Sequence, residues 1–186
     1  MPRPLLNKLC ILGLGLIGGS LAAAARKRGL ASEIHAWGRR ESTLARGVEL
    51  GYIDAYSLDL ATAIKDADLL LIGTPTLIAE DVLAKLHEVL GDGSMPVITD
   101  VASVKGNLQR KAESLWGAMP SQLVLGHPIA GSEKSGVDAA LEDLFVDHRV
   151  ILTPCAQTNA DAVALVRSLW QGAGADVVEM SVSEHD

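Results

Sequence analysis

The stretch LCILGLGLIGGS, residues 9–20, decides how the rest of the chain is read. LCILGL (9–14) is a nearly continuous apolar run, the pattern of a strand covered on both faces. Residues 16–28 are rich in alanine and leucine and end Arg26-Lys27-Arg28, with Gly29 placed to stop a helix. Between the two, Gly13-Leu14-Gly15-Leu16-Ile17-Gly18 fits G-x-G-x-x-G. Gly13 permits a tight turn, Gly15 lets the backbone approach a pyrophosphate, and Gly18 lets helix and strand pack closely. The first helical N–H groups then face the phosphates. Leu16 and Ile17, inside the motif, are counted with the three glycines as cofactor-contacting. By itself the motif is weak; directly after the first strand of an alternating pattern it points to a dinucleotide site. The bland alternative is a glycine-rich turn that binds nothing.

The alternation continues. Strand patterns at 33–38, 68–75, 95–101, 122–127, 148–154 and 175–181 are separated by helical patterns at 40–50, 76–90, 105–116, 137–144 and 158–172. This predicts an α/β fold with a doubly wound, Rossmann-type, mostly parallel sheet and helices on both faces. No internal repeat or linker interrupts 1–186, so one domain is expected.

Composition narrows the function classes. The chain is 48% hydrophobic and 21% charged with a net charge of −7, ordinary for a folded globular protein. Its basic residues form no stripe of the kind that nucleic acids need, and no apolar run reaches the length of a membrane span. Cys10 and Cys155 stand far apart beside apolar runs and read as free thiols of a reducing compartment. A cytoplasmic setting is expected. The histidines and cysteines show no metal-ligand spacing, so no metal is expected.

In open parallel sheets, ligands sit beyond the carboxyl ends of the strands. The second strand ends Trp37-Gly38-Arg39-Arg40, with no acid to hold the ribose hydroxyls of NAD. Arg39 is placed to pair with a 2′-phosphate, which favours NADP; stacking of Arg39 on the adenine, with either cofactor accepted, is the alternative. Gly73-Thr74-Pro75 closes a later strand with small residues that would let the ribose and nicotinamide pass; a purely structural turn is the alternative. Ser103 either caps the following helix or points its hydroxyl at a substrate. His127 follows a buried strand and opens the polar loop HPIAGSEKSG (127–136). A near-neutral imidazole there suits a proton acceptor for hydride-transfer chemistry.

GLGLIGGSLA, TDVASVKG, HPIAGSEKSG and the terminal EHD together closely resemble the prephenate/arogenate dehydrogenase family of tyrosine biosynthesis, over the whole chain. HPIAGSEKSG is the most specific element. The resemblance implies oxidative decarboxylation of prephenate or arogenate by hydride transfer to NAD(P)+, giving 4-hydroxyphenylpyruvate or tyrosine. It places the catalytic histidine at His127 and a serine touching both the ring hydroxyl and that histidine at Ser103. Gly131, Ser132 and Glu133 would line the substrate pocket, with Lys134 more peripheral. It also implies a second, all-helical domain that dimerises the protein, into which residues 179–186 would lead. Val177, Val178 and Met180 are then expected on an exposed docking face. Other readings are a different hydroxyacid dehydrogenase or imino-acid reductase, or a non-catalytic dinucleotide sensor.

Overall fold

A computed structural model describes residues 3–186. Six strands, β1 (Leu6–Leu12), β2 (Ala31–Trp37), β3 (Ala55–Ser57), β4 (Leu69–Ile72), β5 (Val97–Asp100) and β6 (Leu123–Val124), form one sheet in the order β3-β2-β1-β4-β5-β6. Every neighbouring pair is parallel. This is the doubly wound order expected of the alternation. Its connections include α1 (Leu16–Arg28), α2 (Glu41–Glu49), α3 (Leu60–Ile64), α4 (Thr76–Leu90) and α5 (Gly106–Trp116).

Side chains alternate across each strand, so a continuous apolar run feeds two cores at once. Leu9, Ile11, Ile34, Leu69 and Leu71 pack on one face with Leu21, Ala24 and Ala25 of α1. Cys10, Leu12, Leu70, Ile72 and Ile98 pack on the other with Val82, Leu83 and Leu86 of α4 and Leu108 of α5. Burial pushes the Cys10 thiol up to about 12, so this cysteine behaves as a core hydrophobe. Helix α1 ends where Gly29, at φ 65°, enters the left-handed region and closes the last turn.

The expected strand 122–127 divides. Leu123 and Val124 pair with β5, and then the chain leaves that sheet. Gly126–Pro128 (β7) pairs antiparallel with β8 (Arg149–Leu152), which runs parallel to β9 (Asp176–Glu179). The last strands thus build a separate three-stranded sheet, with α6 (Ala160–Gly172) between β8 and β9. An apolar run records burial and not which strand it pairs with.

The expected helix at 137–144 is only a 3-10 turn at Val137–Ala139. Ser20 Oγ of α1 accepts the Leu141 N–H that a helix would have used, and Leu144 and Val146 each bond three residues back. Two short elements have no counterpart in the sequence reading: β3, and α3 with its Asp59 cap on the Thr62 N–H (2.9 Å). A four-residue helix, α7 (Val182–His185), follows β9. Val177 is buried in the core rather than exposed, and Val178 and Met180 are half-buried. Exposed large apolar side chains include Leu77 (83%), Val104 and Ile129, on the segments after β4, β5 and β7. Among the described residues no helix is long and apolar enough to cross a membrane.

Candidate functional site

The sheet order reverses between β1 and β4, and the glycine turn sits at that switch point. Gly13, at φ 103°, leaves β1 in a conformation L side chains rarely adopt. A Cβ on Gly73, just past β4, would lie 2.7 Å from the Gly13 carbonyl oxygen and 3.3 Å from Gly18 Cα. Gly73 is therefore small because it packs against the turn itself, beyond the clearance for a ligand that the sequence suggested. At Gly15, by contrast, a Cβ would meet no described atom within 4 Å. Gly15 is the N-terminal cap residue of α1 and offers no side-chain hydrogen bond to the first N–H groups.

Two cavities meet over this turn. One, of about 420 Å³, is lined by Gly13, Gly15, Gly38, Arg39, Arg40 and Thr74 among others. The second, of about 600 Å³, runs from Gly15, Leu16 and Ile17 past Pro75 to Ser103 and Ser132. Both share Gly73, Thr74, Pro75 and Gly136, so they form one trough across the carboxyl ends of β1, β4 and β5. Thr74 Oγ1 is buried there with no hydrogen-bond partner among the described residues. Lys134 and Gly136 also line the second cavity. Gly131 and Glu133 stand exposed on the same loop, outside that lining.

Ser103 is not the helix cap. Asp186, from the far end of the chain, accepts the N–H groups of Lys105 (3.1 Å) and Gly106 (2.7 Å) at the start of α5. That leaves the Ser103 hydroxyl exposed, 3.5 Å from Thr76 Oγ1.

His127 lies half-buried on β7, and a buried clamp ties its strand to the Ser103 loop. Asp100 accepts the Gly126 N–H on Oδ1 (2.9 Å) and the Ala102 N–H on Oδ2 (2.9 Å). The Lys105 ammonium donates to Asp100 Oδ2 and to the Gly126 carbonyl (2.5 Å). Burial pulls the Lys105 ammonium below its ordinary value, opposed by the charge of Asp100. Burial also lowers His127, assisted by His185 and Lys105 and opposed by Asp100. His127 Nδ1 lies 2.9 Å from His185 Nε2, and His185 Nδ1 lies 2.6 Å from Asp186 Oδ1. Neither the clamp nor this chain was assigned from sequence. The one available signal was the EHD of the resemblance.

A glycine turn at the switch point of a doubly wound sheet, opening on a trough, defines a dinucleotide-binding α/β domain. More particularly, the chain belongs to the prephenate dehydrogenase nucleotide-binding domain family, whose sequence profile matches residues 21–179. It is 38% identical over 184 residues to prephenate dehydrogenase of Bacillus subtilis (strain 168), covering 97% of this chain and 48% of that protein. Synechocystis arogenate dehydrogenase superposes with a TM-score of 0.86 at 34% identity, covering 96% of this chain and 61% of that one. Prephenate dehydrogenase from A. aeolicus, crystallised with hydroxyphenyl propionate and NAD+, superposes at 0.85 with 32% identity, covering 96% and 61%. The chain spans about half the length of the curated relatives it matches.

Proposed function

We propose that the full-length protein oxidatively decarboxylates prephenate or arogenate, giving 4-hydroxyphenylpyruvate or tyrosine, in the cytoplasm. The observation that carries this reading is the Lys105–Asp100–Gly126 clamp. It ties the residue before His127 to the loop of Ser103, at the edge of a trough over the glycine turn. Family membership supports the same chemistry.

The trough fits a dinucleotide: Gly15 leaves open space, the first turn of α1 has uncapped N–H groups, and Thr74 Oγ1 lacks a partner among the described residues. Gly13, Gly15, Leu16, Ile17 and Gly18 would hold the pyrophosphate. Gly38, Arg39 and Arg40 would hold the adenosine end, and Gly73, Thr74 and Pro75 the nicotinamide end. Arg39 favours NADP over NAD. When bound, the oxidised dinucleotide supplies the hydride acceptor.

The chain's own residues then handle a proton. His127, whose charged form burial disfavours, takes the proton of the ring hydroxyl. Ser103 orients that hydroxyl, and Gly131, Ser132 and Glu133 bound the substrate. The ring carboxylate leaves as CO2 and aromatisation drives the step. Dimerisation is assigned to a helical domain beyond these residues.

The test is steady-state kinetics on the full-length protein. His127→Asn should lower kcat by roughly 100- to 10,000-fold, the usual worth of a general base, with dinucleotide affinity nearly intact. Ser103→Ala should cost less, because the proton acceptor remains. Near-normal kcat in His127→Asn would place the base elsewhere.

A further inference from the structure

We propose that His185, held by Asp186, is a positioning residue that fixes the tautomer of His127 and so makes Nε2 of His127 the proton-accepting atom. The proposal rests on the reading of His127 as the base.

Asp186 is the anchor. Its carboxylate accepts the Lys105 N–H on Oδ1 and the Gly106 N–H on Oδ2 at the start of an eleven-residue helix. Burial would raise this acid, but the hydrogen bonds from His185, Lys105 and Gly106 outweigh it and hold it at about 2. At neutral pH Asp186 is therefore ionised and can only accept.

His185 Nδ1, 2.6 Å from Asp186 Oδ1, must then carry a proton. A neutral imidazole carries one, so His185 Nε2 is bare and can only accept. It faces His127 Nδ1 at 2.9 Å, a hydrogen bond that needs its proton on His127 Nδ1. A neutral His127 so protonated has its lone pair on Nε2. The proton of the substrate hydroxyl bonds to that nitrogen, and the electron pair stays on the oxygen.

The charge that arrives is spread along the same line. Imidazolium Nδ1–H donates more strongly to His185, with the Asp186 carboxylate at the far end. The other charged groups facing His127 are Lys105 and Asp100, and these are committed to each other. If His185 were itself protonated, both its nitrogens would donate, His127 Nδ1 would have to accept, and the His127 proton would sit on Nε2. The pair must therefore be uncharged for the site to work.

The experiment uses 15N-histidine-labelled full-length protein with NADP+ or NAD+, in which bare and protonated ring nitrogens are resolved by NMR, alongside kinetics. Wild type above neutral pH should show His127 protonated on Nδ1 and bare on Nε2. Asp186→Asn removes the negative charge and sets an amide N–H against the Gly106 N–H or against His185 Nδ1. It should weaken the tautomer preference of both histidines and lower kcat at least about tenfold, with little change in KM for the dinucleotide. His185→Leu leaves the half-buried His127 Nδ1–H without its acceptor and should cost about 10- to 100-fold in kcat, and His185→Gln, whose amide oxygen can accept from His127, should recover most of it. A His127 proton on Nε2 in wild type overturns the proposal. So does wild-type kcat in both His185→Leu and Asp186→Asn. Failure of the underlying reading is separate: it would appear as near-normal kcat in His127→Asn, whatever the tautomer.

Discussion

Lys105 and Asp100, five residues apart, form an ion pair with both side chains sealed from solvent, and the lysine also holds the carbonyl of Gly126. A loop of the first sheet is thereby locked to a strand of the second. Removing one partner of a buried pair strands the other charge, at a typical cost of about 3–5 kcal/mol. Lys105→Met should therefore lower the urea midpoint strongly. Loss within experimental error of zero would mean the pair contributes no cohesion between the sheets.

The same substitution removes a cation beside His127. If His127 is the base it must be neutral to accept, so the rate should fall as pH drops through its pKa, which burial lowers from the ordinary 6.5. Wild-type kcat/KM should thus be flat through neutrality, with its acid limb below 6.5. In Lys105→Met, assayed where it remains folded, the limb should move to higher pH. An unmoved limb would show that Lys105 acts on structure alone.

Gly15 and Gly73 should separate binding from folding. A Cβ at Gly15 meets no described atom within 4 Å, so Gly15→Val should leave the urea midpoint within about 0.5 kcal/mol of wild type. It should still weaken dinucleotide binding at least about tenfold, by filling the space the pyrophosphate needs. Gly73→Ala drives a methyl against the Gly13 backbone and should cost about 1–3 kcal/mol as well as affinity. Calorimetric titration with each dinucleotide, paired with denaturation, checks both. Unchanged affinity in Gly15→Val would remove the turn from the binding site.

Arg39 is exposed on the trough beside Gly38 and Arg40. Hydrogen bonds to a charged group are worth about 1.5–3 kcal/mol, so Arg39→Ala should weaken NADP binding roughly 10- to 100-fold and NAD binding far less. Parallel titrations decide it. Equal losses, or a wild-type preference for NAD, would remove the 2′-phosphate role.

Residues 9–29 could be read from sequence because every constraint on them is local. The apolar run sets strand burial, Gly13 sets the turn, and Gly29 ends the helix within one stretch of chain. The alternation of strands and helices then implied the parallel sheet, and His127 was marked by its place after a buried strand. The split at 122–127 was not legible, because Leu123 and His127 belong to one apolar run whose partners, β5 and β8, lie elsewhere. Nor was the fate of the α5 cap: Ser103 has the right chemistry and position, but Asp186, 80 residues from Gly106, takes the N–H groups. His185 meets His127 across 58 residues. Periodicity and turn residues record what the backbone does within a few residues, and that much the sequence determined by itself. Which buried donor meets which acceptor leaves no periodic trace. Burial requires only that each polar group find some partner, and the tertiary packing decided that Lys105, Asp100 and His185 would be the ones beside His127, with Asp186 behind His185.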